Sequence, residues 1–225
     1  PGGEPVFAPI SLTIGQGEHV AIIGESGSGK STLLHALMGL LPHDGTVQYG
    51  DGWDRSGLGV VLPGMSLYTG TVRDNLVAEG VDCAEADIWE ALAAVNLADT
   101  VSRLPRGLDS AVFESGRNFS SGQAQRMLVA RSLIRGRHCI FWDEALSGVD
   151  ASTRESIYRN VFQSDTYRGV TIIAVSHQMD ILSRVDRVVY VKGNHSAPVI
   201  GVPTALEHTS RRYKRFVASA NLLAA

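Results

Sequence analysis

The sequence predicts an α/β fold: a parallel β-sheet covered by helices on both faces, with a helical insertion. Three observations carry this. An apolar run, Val20-Ala21-Ile22-Ile23, passes through a glycine-rich turn into the apolar-periodic stretch Leu33-Leu34-His35-Ala36-Leu37-Met38, which reads as strand, loop and helix. Two further short apolar runs, Cys139-Ile140-Phe141-Trp142 and Val170-Thr171-Ile172-Ile173-Ala174-Val175, are bounded by polar residues, as strands buried on both faces are. Ahead of these two runs, residues 71–135 look largely helical, with Ile88, Leu92 and Val95 on one helical face.

The elements follow in order. Residues 5–15 space Val6, Ile10, Leu12 and Ile14 and close on Gly15-Gln16-Gly17, predicting an edge strand and a turn. A strand over 18–23 and a helix over 30–40 flank the glycine loop, the helix ending at Gly39 and Pro42. Gly45-Thr46-Val47-Gln48-Tyr49-Gly50 reads as a short strand and Asp51-Gly52 as a turn. Leu58-Gly59-Val60-Val61-Leu62 reads as a buried strand stopped by Pro63-Gly64. Leu104-Pro105-Arg106-Gly107 breaks the helical stretch. A later helix runs from Gly122 to Arg135 with Met127, Ala130, Leu133 and Ile134 on its apolar side. Val185-Asp186-Arg187-Val188-Val189-Tyr190-Val191 is a last strand. There is no internal repeat and no low-complexity segment.

A chain of 225 residues suits one large domain, or a core with a small subdomain. Its 44% hydrophobic and 19% charged residues are ordinary for a globular protein, and a net charge of −3 argues against a nucleic-acid partner. No apolar run approaches the ~18 residues that span a bilayer, and no signal peptide is visible, so the domain itself is expected to be soluble. Cys83 and Cys139 lie far apart and in no metal-spacing motif. Cys139 is expected as a buried free thiol, which fits a reducing, cytosolic setting. The chain opens at Pro1 without a methionine, as a domain cut from something longer would.

Chemistry concentrates in three places. Gly24-Glu25-Ser26-Gly27-Ser28-Gly29-Lys30-Ser31-Thr32 fits the phosphate-binding pattern G-x-x-x-x-G-K-[ST]. Glycines let phosphate oxygens approach backbone N–H groups, and the helix opening at Lys30 or Ser31 points its positive end at the anion. Lys30 would reach the β and γ phosphates, and the Ser31 hydroxyl would ligate Mg²⁺. Strand 139–142 ends in Asp143-Glu144, two adjacent carboxylates where ligands bind in open α/β sheets. Asp143 would hold Mg²⁺ directly or through water, and Glu144 would orient or deprotonate an attacking water. Phe119-Ser120-Ser121-Gly122-Gln123 begins a helix; Ser120 or Ser121 is a plain N-cap candidate, and such a helix start also binds phosphate.

The segment Phe119 to Gln123 resembles the Leu-Ser-Gly-Gly-Gln signature of ABC transporter ATPases. Its place between the phosphate loop and the acidic strand is similar to theirs, and the resemblance covers nearly the whole chain. It implies a P-loop NTPase with a RecA-like core, an antiparallel β part and a helical subdomain. The chain would then be one ABC nucleotide-binding domain over 1–225, with core 1–70 and 136–225 and helical subdomain 71–135. Gly70 to Leu76 looks like the segment after the family's Q-loop. Leu104 to Asp109 and Glu114-Ser115-Gly116 resemble the lead-in to the signature in exporters. Ser147-Gly148-Val149-Asp150 resembles the D-loop, and His177 matches the switch histidine.

The resemblance implies Mg²⁺-dependent ATP hydrolysis between two domains paired head to tail, most simply a homodimer. Each ATP would lie between the phosphate loop of one copy and Ser120, Ser121, Gly122, Gln123 and Asp150 of the other. Glu144 would activate water and His177 would steady the γ-phosphate. Dimer closure would drive transmembrane domains fused upstream, placing this domain at the cytoplasmic face of the inner membrane. Residues 114–120 are most similar to exporters of bacteriocins or leader-bearing peptides, which often carry an upstream peptidase. A degenerate module that binds ATP and hydrolyses it poorly, and a soluble ABC ATPase without a membrane partner, are the alternatives.

The chain departs from the family pattern at several positions. Pro63 stands where the Q-loop glutamine belongs and offers no side-chain amide for Mg²⁺ or water. Ser121 replaces the first signature glycine, where its Cβ crowds a phosphate or its hydroxyl adds a contact. Gly148-Val149 replaces the usual Ala-Leu. The adenine-stacking aromatic would fall before Pro1, with Phe7 a poor substitute, so nucleotide is expected to bind more weakly than to an N-terminally extended form.

Overall fold

The computed structural model describes residues 6, 8–50, 57–77, 81–136, 138–193 and 195–224. Along the chain come β1 (His19–Gly24), α1 (Lys30–Leu37), β2 (Leu58–Val61), β3 (Gly70–Thr71), α2 (Val72–Leu76), α3 (Glu85–Ala94) and α4 (Ala98–Ser102). Then follow β4 (Ala111–Val112), α5 (Ser121–Arg135), β5 (Cys139–Asp143), α6 (Ala151–Phe162), β6 (Thr171–Val175), β7 (Arg187–Val191), β8 (Val199–Gly201), α7 (Pro203–Thr209) and α8 (Arg211–Ala224). Six strands form one sheet in the order β2-β5-β6-β1-β7-β8. All neighbours are parallel except the antiparallel pair β7–β8. β3 and β4 make a separate two-stranded antiparallel ribbon.

Side chains on a strand alternate between faces, and here both faces are apolar. Ala21 and Ile23 of β1, with Ile140 and Trp142 of β5, belong to one buried cluster; Val20, Ile22, Cys139 and Phe141 belong to another. The first cluster continues through Met127 and Leu133 of α5, Ile157 of α6, and Ile88 and Leu92 of α3. The second is capped by Leu33, Leu34 and Met38 on and just after α1. The sheet is thus the middle layer of three. Each fully buried Leu, Ile or Val contributes roughly 1.5–3 kcal/mol. Within the second cluster, burial pushes the Cys139 thiol up to about 12, so it is an inert free thiol.

Local chemistry sets the helix ends. α1 stops in a Schellman arrangement: Gly39 N–H donates to Ala36 O at 2.9 Å and Leu40 N–H to His35 O at 2.9 Å, with Gly39 at φ 69°. α2 starts with a capping box between Thr71 and Asp74. α5 lies so close to β2 that a Cβ at Gly59 would sit 2.1 Å from Ser132 O. At the same contact the buried Trp142 indole donates to Ser132 Oγ at 2.9 Å, and that hydroxyl donates to Val129 O at 2.7 Å.

Two predicted strands are not seen among the described residues: 8–15 and 46–50 are irregular there and join neither sheet. Ile10, Leu12 and Ile14 still lie against the second cluster, so their spacing marked burial rather than a strand. The turn expected at Asp51-Gly52 lies outside the described residues. The helix over 30–40 ends at Leu37. Helices α6, α7 and α8 and strand β8 were not anticipated; Pro203 at the first turn of α7 was an available signal.

Ser132→Ala should lower stability by about 1–3 kcal/mol, because it strands the buried indole N–H of Trp142. Urea unfolding should show a lower midpoint with an unchanged m-value.

Candidate active site

β1, β5 and β6 are parallel neighbours, so their carboxyl ends share one edge of the sheet. Gly24 closes β1, Asp143 closes β5, and Ser176-His177 follow β6. The loop from Gly24 to Gly29 then turns into α1. At Gly24, φ is 154° and a Cβ would meet Val191 O at 1.9 Å, so only glycine fits. Gly29, at φ 96°, is the left-handed N-cap of α1. The first intrahelical bond there runs from Leu33 N–H to Gly29 O at 2.9 Å. The N–H groups of Lys30, Ser31 and Thr32 precede it and point out of the helix start, ready for an anion.

Lys30 is buried, and its Nζ donates to Gly24 O at 3.1 Å and Glu25 O at 2.7 Å. Burial holds its pKa below the usual lysine value, against the opposing pull of Glu144 and Asp143. Ser28 is buried too, and its hydroxyl has no hydrogen-bond partner among the described residues. Glu25, Ser26 and Gly27 form the exposed rim of the loop. An open cavity of about 820 Å³ borders Gly24, Glu25 and Ser26 together with His177, Lys192 and Arg212, so the loop and His177 face a common space.

Asp143 is 2% exposed. Ser31 Oγ donates to its Oδ1 at 3.1 Å, and His35 Nε2 lies 3.5 Å from its Oδ2. Ser31 and His35 are one helical turn apart on α1, so both reach the same carboxylate. Burial pushes the Asp143 pKa up; the Ser31 bond and the His35 and Lys30 charges pull it back, while Glu144 adds to the rise. Asp143 Oδ2 is buried with no hydrogen-bond partner among the described residues, and at 3.5 Å His35 makes only an electrostatic contact. A hydroxyl beside a buried carboxylate with an unsatisfied oxygen fits a hard, oxygen-seeking cation such as Mg²⁺.

Glu144 has φ 54°, uncommon for a residue with a side chain. Its N–H donates to Val175 O at 3.0 Å, and its Oε1 lies 2.9 Å from His177 Nε2. The structure therefore brings the two predicted catalytic side chains into direct contact. Gln125 also reaches this turn: its Nε2 donates to Glu144 O and Ser147 Oγ, each at 3.3 Å, and Gly148 N–H donates to its Oε1 at 2.9 Å.

The start of α5 stands apart. Ser120 and Gln123 form a capping box, with Gln123 N–H donating to Ser120 Oγ at 3.2 Å and Ser120 N–H to Gln123 Oε1 at 2.9 Å. Ser121 and Gly122 are the first helical residues, and Ser121 is exposed. Asp150 caps α6, accepting from Thr153 N–H at 2.9 Å and Ser152 Oγ at 2.6 Å; these bonds, that from Ser152 first, hold its carboxyl below the usual range. Among the described residues, no hydrogen bond or ion pair joins Ser120–Gln123 or Asp150 to the loop 24–32. Pro63 lies in an exposed turn closed by Met65 N–H to Leu62 O at 3.2 Å. His35 and Gln125 were not singled out from sequence. The four-residue step from Ser31 signalled His35; nothing local signalled Gln125, whose partners lie about twenty residues away.

The model of the ABC transporter family matches residues 7–147. The lacticin-481/lactococcin-DR transport/processing ATP-binding protein of Lactococcus lactis subsp. lactis is 42% identical over 189 residues, covering 83% of this chain and 27% of that protein. An ATP-dependent permease of Candida albicans is 35% identical over 194 residues, covering 82% of this chain and 28% of the permease. The chain thus spans little more than a quarter of these relatives. A solved bacterial Atm1-family ABC exporter with ATP bound superposes with a TM-score of 0.81 at 25% identity, covering 95% of this chain and 39% of that one. No helix among the described residues is long and apolar enough to cross a membrane. A glycine loop, an acidic strand end and a family match spanning both leave one conclusion: the chain belongs to the ABC transporter family, as an ATP-binding domain of the kind found in its exporters.

Proposed function

We propose that this chain binds ATP with Mg²⁺ on the loop 24–32, hydrolyses it within a pair of copies, and thereby powers an exporter. The observation that carries the reading is the convergence of Lys30, the Ser31–Asp143 pair and the Glu144–His177 pair on one sheet edge. ATP entering the loop would take Lys30 from the Gly24 and Glu25 carbonyls onto its β and γ phosphates, with the N–H groups at the start of α1 completing the cradle. Ser31 and Asp143 would hold Mg²⁺, which would neutralise charge on the phosphate oxygens. Glu144 takes the proton of the attacking water, and His177 first fixes that carboxylate and then steadies the γ-phosphate.

The second copy follows from the residues left over. Ser120, Ser121, Gly122, Gln123 and Asp150 make no polar contact with their own loop, which suits a role across an interface. Two capped helix starts then close on each ATP. The short span relative to the relatives supports a transmembrane portion elsewhere in the full protein, with this domain on the cytoplasmic side. The lacticin relative supports a peptide of bacteriocin type as cargo. A second reading, an ATP-binding module that closes on nucleotide and turns it over poorly, is favoured by Pro63.

Three results test these readings. Turnover with Mg²⁺ should rise faster than linearly with protein concentration. Lys30→Ala should weaken ATP binding by about 30-fold or more, as expected for loss of a charge-assisted phosphate contact, measured by calorimetry. Glu144→Gln should keep ATP binding, lower turnover by roughly 10²–10⁴-fold, and accumulate an ATP-dependent dimer on size exclusion. Under the second reading the unaltered chain already behaves as Glu144→Gln does. Pro63→Gln, in an exposed turn that tolerates it, should then raise turnover and lower the Mg²⁺ concentration needed for half-maximal rate.

A further inference from the structure

Glu144 sits at the end of a fully buried strand, yet its side chain is exposed enough to meet solvent and ligand. Its backbone is in the left-handed region at φ 54°, a conformation that persists in a non-glycine residue only where surroundings hold it. Two contacts do so. On one side its N–H is tied to Val175 O on β6. On the other its carbonyl accepts from Gln125, one turn into α5. The same amide accepts from Gly148 N–H and donates to Ser147 Oγ. One side chain therefore satisfies three groups of the turn 144–148 and anchors them to the helix that begins at Ser120.

The fit depends on Gly148. A Cβ there would lie 2.7 Å from Gln125 Oε1, inside contact distance. Gly122 adds to the same contact, since a Cβ on it would meet Gly148 O at 3.6 Å. The helix start and the turn after Glu144 are thus in direct contact as well as hydrogen-bonded.

We propose that Gln125 is a positioning residue: it sets the Glu144 carboxylate and links it to the helix start at Ser120–Gln123. The inference rests on the hydrolytic, paired reading above. In that pair, Ser120–Gln123 of one copy engage the ATP held by the other, while Glu144 serves the ATP on its own loop. Gln125 then connects the two ATP sites within each chain, so that filling one site aligns Glu144 at the other.

The test uses the 225-residue chain and three substitutions. Gln125→Ala removes all three bonds. Gln125→Glu keeps an acceptor for Gly148 N–H and loses the donor to Glu144 O and Ser147 Oγ. Gly148→Ala leaves Gln125 in place and pushes it off the turn. Amide exchange over 144–148 should speed up by about fivefold or more in Gln125→Ala, the scale of one or two net hydrogen bonds, while Gln125→Glu retains protection at Gly148. Turnover at saturating ATP should fall about tenfold or more in all three, the scale of a misaligned reacting group. ATP affinity should stay within about twofold, because none of these atoms touches the phosphate loop. Under the paired reading the rate should depend sigmoidally on ATP, and this dependence should flatten in Gln125→Ala.

A merely structural strap gives a different pattern: turnover falls only in proportion to the folded fraction, and the ATP dependence keeps its shape. That pattern, or unchanged exchange at 144–148, overturns the proposal. If Gln125→Ala does not fold, Gly148→Ala decides it. Should the unaltered chain bind ATP and show no turnover, the hydrolytic reading fails by itself, and the exchange data still decide whether Gln125 holds the turn.

Discussion

Both faces of the parallel sheet are covered, and this constraint governs where polar chemistry can exist. A strand buried on two sides has no room for charge along its length, as β5 and β6 show by burying every residue. Charged and hydrogen-bonding groups are displaced to the strand ends. Because β1, β5 and β6 are adjacent and run the same way, their displaced groups meet at one edge. The glycine loop, Asp143, Glu144 and His177 are together for that reason, although they come from segments far apart in sequence. Asp143 marks the boundary: still within β5 and almost fully buried, it is tolerated through Ser31 and the nearby charges of His35 and Lys30.

Much of this edge was legible in the sequence because the signals there are local. The run Gly24 to Thr32 carries its own strand before and helix after, and glycine at 24 and 29 answers a backbone requirement that no other residue meets. Asp143-Glu144 follows four apolar residues, so the strand end and the carboxylates are read together. Failures occurred where the decisive partner is distant. Val6, Ile10, Leu12 and Ile14 alternate well enough for a strand, but a strand exists only if another pairs with it, and residues 8–15 find none among the described residues. Helix α6 shows the same difficulty: Asp150 caps it by accepting from Thr153 N–H, yet in the sequence that aspartate reads equally as a ligand contact.

Ser120 and Asp150 cap their helices, and the interface role proposed for them would draw on the same physics. An N-cap side chain holds a helix start in a fixed orientation, and a fixed helix start presents N–H groups and a positive dipole end in a fixed direction. The capping box of Ser120 with Gln123 therefore prepares the surface of α5 before any partner arrives. The distinction between a structural and a functional serine has little meaning at such a position.

The place of β1 in the sheet also dictates when the site can come into being. β1 is the first strand among the described residues, yet its two neighbours are β6 and β7: His19 pairs with Ile172 and Val20 with Arg187. A growing chain must carry β1 unpaired, with its apolar faces uncovered, until nearly the whole domain has been synthesised. Non-local pairing of this kind is slow and leaves sticky edges exposed. The glycine loop, which is locked against Val191 at the far end of β7, is consequently among the last features to take shape on the ribosome. A chain stopped before β6 would leave β1 with neither of its neighbours, and one stopped between β6 and β7 would leave the glycine loop without the Val191 carbonyl it packs against.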